Sequence, residues 1–141
     1  QEGIVQRKMI AGLGGMVLLA GASSAQTGSP SGEQQAAAGA QTYAGRCAAC
    51  HGAKLTGGGG PALAGEAYWS HWNGRPARAL YDEIVSTMPM DDPGSLKPAE
   101  AIALVVFFQK VNGGDVPATA IADPAALDAI KIAKPSAGRA K

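Results

Sequence analysis

The chain has 141 residues, which is enough for one domain. Its 12 Lys and Arg residues nearly balance its 11 Asp and Glu residues, so no strong field is available to hold nucleic acid or an anionic membrane surface. Aromatic residues make up only 5% of the chain, and domains this small commonly need a staple, a metal or a cofactor to complete the interior. We therefore expect a bulky apolar group in the core and no nucleic-acid partner.

Residues 1–25 have the pattern of an export signal. Arg7 and Lys8 precede an apolar stretch at 9–22, and small residues follow it at 23–25. The apolar stretch is shorter than the roughly 20 residues that a membrane span needs. We therefore expect cleavage and a periplasmic protein. An uncleaved N-terminal anchor is the alternative, and membrane contact is expected only if this segment is retained.

A flexible linker is predicted next, over residues 26–35, because Thr, Gly, Ser and Pro are frequent there and apolar residues are not periodic. Its end overlaps a helix predicted over residues 33–49. The apolar residues of this helix recur at helical spacing: Ala36, Ala40, Tyr43 and Cys47. The domain itself is predicted to occupy residues 36–113.

A glycine-rich loop follows the first helix. It contains Gly52 and the glycines at 57–60, and it ends in Pro61. A glycine run can cradle phosphate, but that use needs a strand before it and a helix after it. Neither context is predicted here, so nucleotide binding is not expected.

Three further helices and no strands are predicted, which makes the fold all-α. One helix covers residues 77–86, and another begins at Pro98 and ends at Asn112, where Gly113 can take positive φ. Residues 114–141 are predicted to be a C-terminal extension with a short helix beginning near Asp123.

The two cysteines of the chain lie in one short motif, Cys47-Ala48-Ala49-Cys50-His51. It matches the C-x-x-C-H pattern of covalent haem attachment, in which two thiols about one turn apart bond to the porphyrin edge and the histidine binds the iron. A redox dithiol would need a strand before the motif. A zinc site would need further ligands, and His71 is the only other histidine. One haem c, held by Cys47, Cys50 and His51, is therefore the predicted cofactor.

The chain from residue 39 to residue 132 resembles a class I cytochrome c. It is most similar to the modules that accept electrons from periplasmic quinoprotein and alcohol dehydrogenases. The resemblance rests on Gly39, Tyr43, residues 47–52, residues 60–65, Tyr68, Trp72, residues 87–89, residues 92–96, residues 112–113 and residues 122–132. It implies a cytochrome c-like fold, with helices wrapped around one covalent haem.

The resemblance also implies a role for individual residues. Met88, which precedes a proline, would be the second axial ligand, and a thioether opposite imidazole raises the reduction potential. Met90 is the rival for that role. The carbonyl of Pro61 would accept a hydrogen bond from His51, and Trp72 would wall the haem and reach a propionate. Residues Gly39 and Tyr43 would pack against Phe107 where the first and third predicted helices cross.

The function implied is single-electron transfer in a periplasmic respiratory or dehydrogenase chain, with a redox protein as partner. We expect an electron carrier and not an enzyme. A subunit docked permanently to a larger dehydrogenase or oxidase is an alternative. A haem enzyme or gas sensor with an open iron site is another, and it would need a distal acid–base residue, for which only His71 remains.

Overall fold

The structure is a computed structural model that describes residues 29–136. The predicted export signal at residues 1–25 lies outside this range. The described elements are α1 (Gly32–Arg46), α2 (Ala48–His51), α3 (Glu66–Trp72), α4 (Ala77–Thr87), α5 (Pro98–Val111) and a 3₁₀ helix (Pro124–Ala129). Within the described range, pairing of the strand type is limited to two isolated bridges. The predicted all-α fold is confirmed. No helix between residues 29 and 136 is long and apolar enough to cross a membrane.

Helices α1 and α5 cross at a glycine. A Cβ built on Gly39 would lie 2.0 Å from the carbonyl oxygen of Ala103 and 2.7 Å from the Cβ of Phe107. Beside this crossing, the Tyr43 ring lies 5.5 Å from the ring of Phe107 and 5.9 Å from that of Phe108. The predicted contact of Gly39 and Tyr43 with Phe107 is present, and only glycine permits so close an approach of the two backbones.

The start of α1 differs from the predicted boundary. Ser31 and Gln34 form a reciprocal cap: the Gln34 N–H donates to Ser31 Oγ at 3.2 Å, and the Ser31 N–H donates to Gln34 Oε1 at 2.8 Å. Such a capping box satisfies two backbone donors that the first turn leaves free. Residues 32–35, assigned to the linker from sequence, therefore form the first turn of α1.

Helix α3 was not predicted. The residue that precedes α3, Gly65, is held by Asn112, whose Oδ1 accepts a hydrogen bond from the Gly65 N–H at 2.9 Å. The Nδ2 group of Asn112 donates to the carbonyls of Leu63 at 3.1 Å and Phe108 at 2.9 Å. One buried amide thus ties the start of α3 to the end of α5. The helix buries three aromatic residues: Tyr68, Trp69 and Trp72.

The C-terminal segment is part of the fold. Leu127 and Ile132 are fully buried in the core. The Gly74 N–H donates to the Ile132 carbonyl at 2.7 Å, and the Ile132 N–H donates to the Arg75 carbonyl at 2.9 Å. The segment predicted as an extension, residues 114–141, therefore contributes backbone hydrogen bonds that hold the turn between α3 and α4. Asp123 caps its short helix as predicted, although that helix is 3₁₀.

Candidate haem-binding site

The C-x-x-C-H motif lies where α1 ends and α2 begins. The Cys47 N–H donates to the Tyr43 carbonyl at 2.9 Å and so closes α1. The carbonyl of Cys47 then accepts from the N–H groups of Cys50 at 3.2 Å and His51 at 2.9 Å. This tight turn places the three chemical groups on one short helical segment. Cys47 is half-buried and Cys50 exposed, and neither is in a disulfide.

His51 is buried and has one ring nitrogen engaged. Its Nδ1 lies 2.8 Å from the carbonyl oxygen of Pro61. Because a carbonyl can only accept, Nδ1 carries a proton, and in the neutral imidazole Nε2 is then the nitrogen with the lone pair. The ring is thereby oriented with a nitrogen ready to bind a metal. The hydrogen bond that the resemblance implied is present.

The glycine-rich loop packs against the His51 ring and is bonded to the backbone of the motif. The Gly57 N–H donates to the His51 carbonyl at 2.9 Å, and the Gly60 N–H donates to the Cys50 carbonyl at 2.9 Å. A Cβ on Gly60 would lie 2.8 Å from Cε1 of His51. The loop therefore passes directly against the imidazole and presents Pro61 to it. The sequence analysis assigned Gly60 no role, although the glycine run before Pro61 was a signal for close backbone approach.

The two candidate methionines differ in exposure. Met88 caps the C-terminal end of α4, where its N–H donates to the Ile84 carbonyl at 3.0 Å, and its side chain is partly buried. Met90 is 81% exposed. A ligand to a buried iron must approach from within the fold, so the exposures favour Met88.

Trp72 is buried at the end of α3, and the side chains of His71 and Arg75 lie against its ring. The Arg75 guanidinium lies 4.6 Å from the Trp72 ring centroid. Its Nη1 lies 3.2 Å from Nε2 of His71 and donates to it, since a guanidinium cannot accept. Arg78 is engaged elsewhere, by a 2.7 Å ion pair with Asp82. Arg75 is therefore the arginine associated with Trp72.

The chemistry of this donor set fits a haem better than the alternatives. Burial raises the pKa of the Cys47 thiol and favours its neutral form, whereas redox dithiols and zinc sites rely on readily formed thiolates. Within residues 29–136 no group of three or more His, Cys, Asp and Glu side chains could hold a metal ion. Cys47 also packs against the main cluster of buried apolar residues. The motif thus faces an apolar core, as a porphyrin requires.

The comparisons with known proteins agree with this geometry. A family model described as cytochrome c oxidase, cbb3-type, subunit III matches residues 34–108. Among solved structures, the crystal structure of the sulfane dehydrogenase SoxCD from Paracoccus pantotrophus matches with a TM-score of 0.57 and 23% identity, covering 86% of this chain and 68% of that chain. The curated proteins contain no significant match. The residues matched by the family model include the whole C-x-x-C-H motif, Pro61 and Met88. The finer likeness to modules of quinoprotein dehydrogenases stays a prediction.

Proposed function

Because the chain belongs to the family described as cytochrome c oxidase, cbb3-type, subunit III, and is a class I c-type cytochrome of electron transfer, we propose that it carries one covalent haem and passes single electrons to a redox protein in the periplasm. The observation that carries the proposal is the 2.8 Å contact between His51 Nδ1 and the Pro61 carbonyl, beside Cys47 and Cys50. This contact leaves the Nε2 lone pair of a buried imidazole free for iron.

The residues would divide the work as follows. The thiols of Cys47 and Cys50 would add across the two vinyl groups of the porphyrin, while His51 Nε2 and Met88 Sδ would bind the iron. When bound, haem supplies a reversible one-electron couple. The hydrogen bond from His51 to Pro61 fixes the imidazole and makes it a stronger donor. As a ligand, the thioether of Met88 would favour the ferrous state relative to a second histidine.

The attachment can be tested on the mature protein. Denatured protein should give the pyridine haemochrome spectrum of two thioether links, with one haem per chain, and acid–acetone should leave the haem on the protein. Cys47→Ala and Cys50→Ala should each give the spectrum of a single link. Haem that acid–acetone extracts from the unaltered chain would refute covalent attachment.

The axial ligand can be tested with a matched pair of variants. Met88→Ala should abolish the near-infrared sulfur-to-iron band of the ferric protein and lower the reduction potential. A fall of roughly 100–200 mV corresponds to about 2–5 kcal/mol, since 59 mV is tenfold for one electron. Met90→Ala is the control, and it should leave the band unchanged because its side chain is 81% exposed. The opposite result would exchange the two assignments. A band absent from the unaltered protein would favour the open-site alternative.

A second candidate, a subunit docked to a larger enzyme, is favoured by one observation. The solved structure that this chain resembles is titled a sulfane dehydrogenase, SoxCD. Both candidates use the same haem site, and they differ in the lifetime of the complex. Purification from the native membrane and soluble fractions, followed by size-exclusion chromatography, should yield the free cytochrome. A stoichiometric complex that survives this procedure would support the docked subunit.

A further inference from the structure

The loop that joins α4 to α5, residues 88–96, has few contacts of its own to hold it. Residues 90–94 are exposed. The loop is shaped by two turns, closed by hydrogen bonds of 2.9 Å from the Asp92 N–H and 3.3 Å from the Ser95 N–H, both to carbonyls within the loop. Segments with few buried apolar contacts open locally at little cost in free energy. A contact from another element would therefore do much to keep this loop, which begins with the proposed iron ligand Met88, in one position.

Arg46 of α1 makes such a contact. Its Nη2 donates to Ser95 Oγ at 2.6 Å, across 49 positions of the sequence, and lies 4.0 Å from Asp92 Oδ2. Among the residues that the structure describes, the other hydrogen bonds of the loop run within it or back to α4. The guanidinium of Arg46 thus supplies the hydrogen bond that reaches this loop from a different helix.

The other side of this contact is the C-x-x-C-H motif. Arg46 is the last residue of α1 and immediately precedes Cys47. The Cys47 N–H donates to the Tyr43 carbonyl at 2.9 Å, which fixes the end of the helix. Arg46 therefore ties the segment that provides the proposed haem attachment to the loop that begins with the proposed second axial ligand, Met88.

A simpler role for Arg46 is to stabilise α1 alone. A cation in the last turn of a helix interacts favourably with the helix dipole, and Arg46 is the basic residue of that turn. This role needs the charge of the arginine and does not need its contact with the loop. The 2.6 Å hydrogen bond to the neutral hydroxyl of Ser95 is not explained by the dipole. Replacing Ser95 separates the two roles, because it leaves α1 and its arginine unaltered.

We infer that Arg46 is a positioning residue that holds the loop of residues 88–96 closed and thereby favours the bond between Met88 and the iron. The inference rests on the proposed covalent haem with Met88 as its second axial ligand. Opening of the loop would withdraw the thioether and let an external ligand enter. A contact that exists in the closed form and is lost in the open form shifts this equilibrium towards the closed form. For an exposed charged contact we expect a shift of about three-fold.

The test measures imidazole binding to the ferric, haem-loaded protein, because imidazole takes the sixth position only when the thioether leaves it. Ser95→Ala and Arg46→Gln should each raise the apparent affinity for imidazole about three-fold. In both variants the haem should stay attached, and the near-infrared sulfur-to-iron band should be present before imidazole is added. The double variant should match Arg46→Gln, because both changes remove the same contact.

Lys110→Gln is the matched control. Lys110 of α5 pairs with Glu33 at the start of α1, so this variant also removes one positive charge and one exposed ion pair of α1. Lys110 makes this pair at the opposite end of α1 from Arg46. The control should leave the affinity for imidazole unchanged, even where its melting temperature falls.

An affinity for imidazole that does not change in Ser95→Ala would overturn the inference. An equal rise in Lys110→Gln would overturn it as well, since lost charge or general loosening would then explain the effect. Should Arg46→Gln fail to mature because it adjoins Cys47, Ser95→Ala decides alone. Absence of covalent haem from the unaltered protein would instead refute the proposed function, and absence of the sulfur-to-iron band would refute its assignment of Met88.

Discussion

Replacing Gly60 by Ala should disturb His51 without replacing any of the proposed haem ligands. The new methyl carbon would lie 2.8 Å from Cε1, 3.0 Å from Nδ1 and 3.2 Å from Nε2 of the imidazole. Ordinary carbon contacts are about 3.5–4.0 Å, so either the ring or the loop must move by roughly half an ångström or more. The ring is held by Pro61 and the loop by its hydrogen bond to the Cys50 carbonyl. We expect overpacking of this kind to lower the free energy of unfolding by about 1–3 kcal/mol.

Gly59→Ala is the matched control, because a Cβ at Gly59 would meet no atom within 4 Å. Guanidinium unfolding of both variants, followed by haem absorbance and by far-ultraviolet circular dichroism, measures the difference. Gly59→Ala should stay within about 0.5 kcal/mol of the unaltered protein, as exposed substitutions usually do. Gly60→Ala should also change the haem absorbance of the folded state, since the axial imidazole is displaced. Equal stability and identical spectra for the two variants would refute the claim that the loop backbone positions His51.

Two further predictions concern stability. Gly39→Ala should lower the free energy of unfolding by about 3 kcal/mol or more, because its Cβ would lie 2.0 Å from a backbone oxygen of α5. In the control Gly45→Ala, on the same helix, the Cβ meets nothing within 4 Å, so this variant should raise the free energy of unfolding by about 0.5–1 kcal/mol. Chemical denaturation of both variants will show whether the two effects have opposite signs. Burial raises the pKa of Tyr43 and of Tyr68 above that of an unfolded tyrosine, so the unfolded chain loses these protons first and stability should fall as pH rises above about 10. Tyr68→Phe should make that fall shallower, and an unchanged slope would count against the buried state of its hydroxyl.

Local chemistry explains what could be predicted from the sequence. The C-x-x-C-H motif needs only five consecutive residues. Helix α4 was predicted over 77–86 and extends to Thr87, and Pro98 begins α5 as expected. Both helices have apolar residues at helical spacing and residues at their ends that typically start or stop a helix. The capping box of Ser31 and Gln34 was equally local, and it would have placed the start of α1 at the observed residue.

Long-range contacts explain what could not be predicted. Helix α3 has seven residues and no side-chain cap of its own, and isolated helices of that length are unstable in water. It forms because Asn112, 47 positions after Gly65, accepts from the Gly65 N–H, and because its three aromatic residues are buried by the rest of the core. Neither cause can be read from the residues of α3 alone.

The C-terminal segment is held mainly by burial and backbone pairing, and its ion pair contributes little. Lys134 pairs with Glu66 at 2.6 Å, but the two side chains are 49% and 77% exposed, so the pair adds at most about 1 kcal/mol. Ile132 is fully buried, which is worth about 1.5–3 kcal/mol. Its backbone also makes two hydrogen bonds across the turn between α3 and α4. The same turn joins Trp72 to α4, the helix whose C-terminal end is capped by Met88. A segment more than 80 positions after Cys47 therefore steadies the two helices that carry these candidate haem contacts.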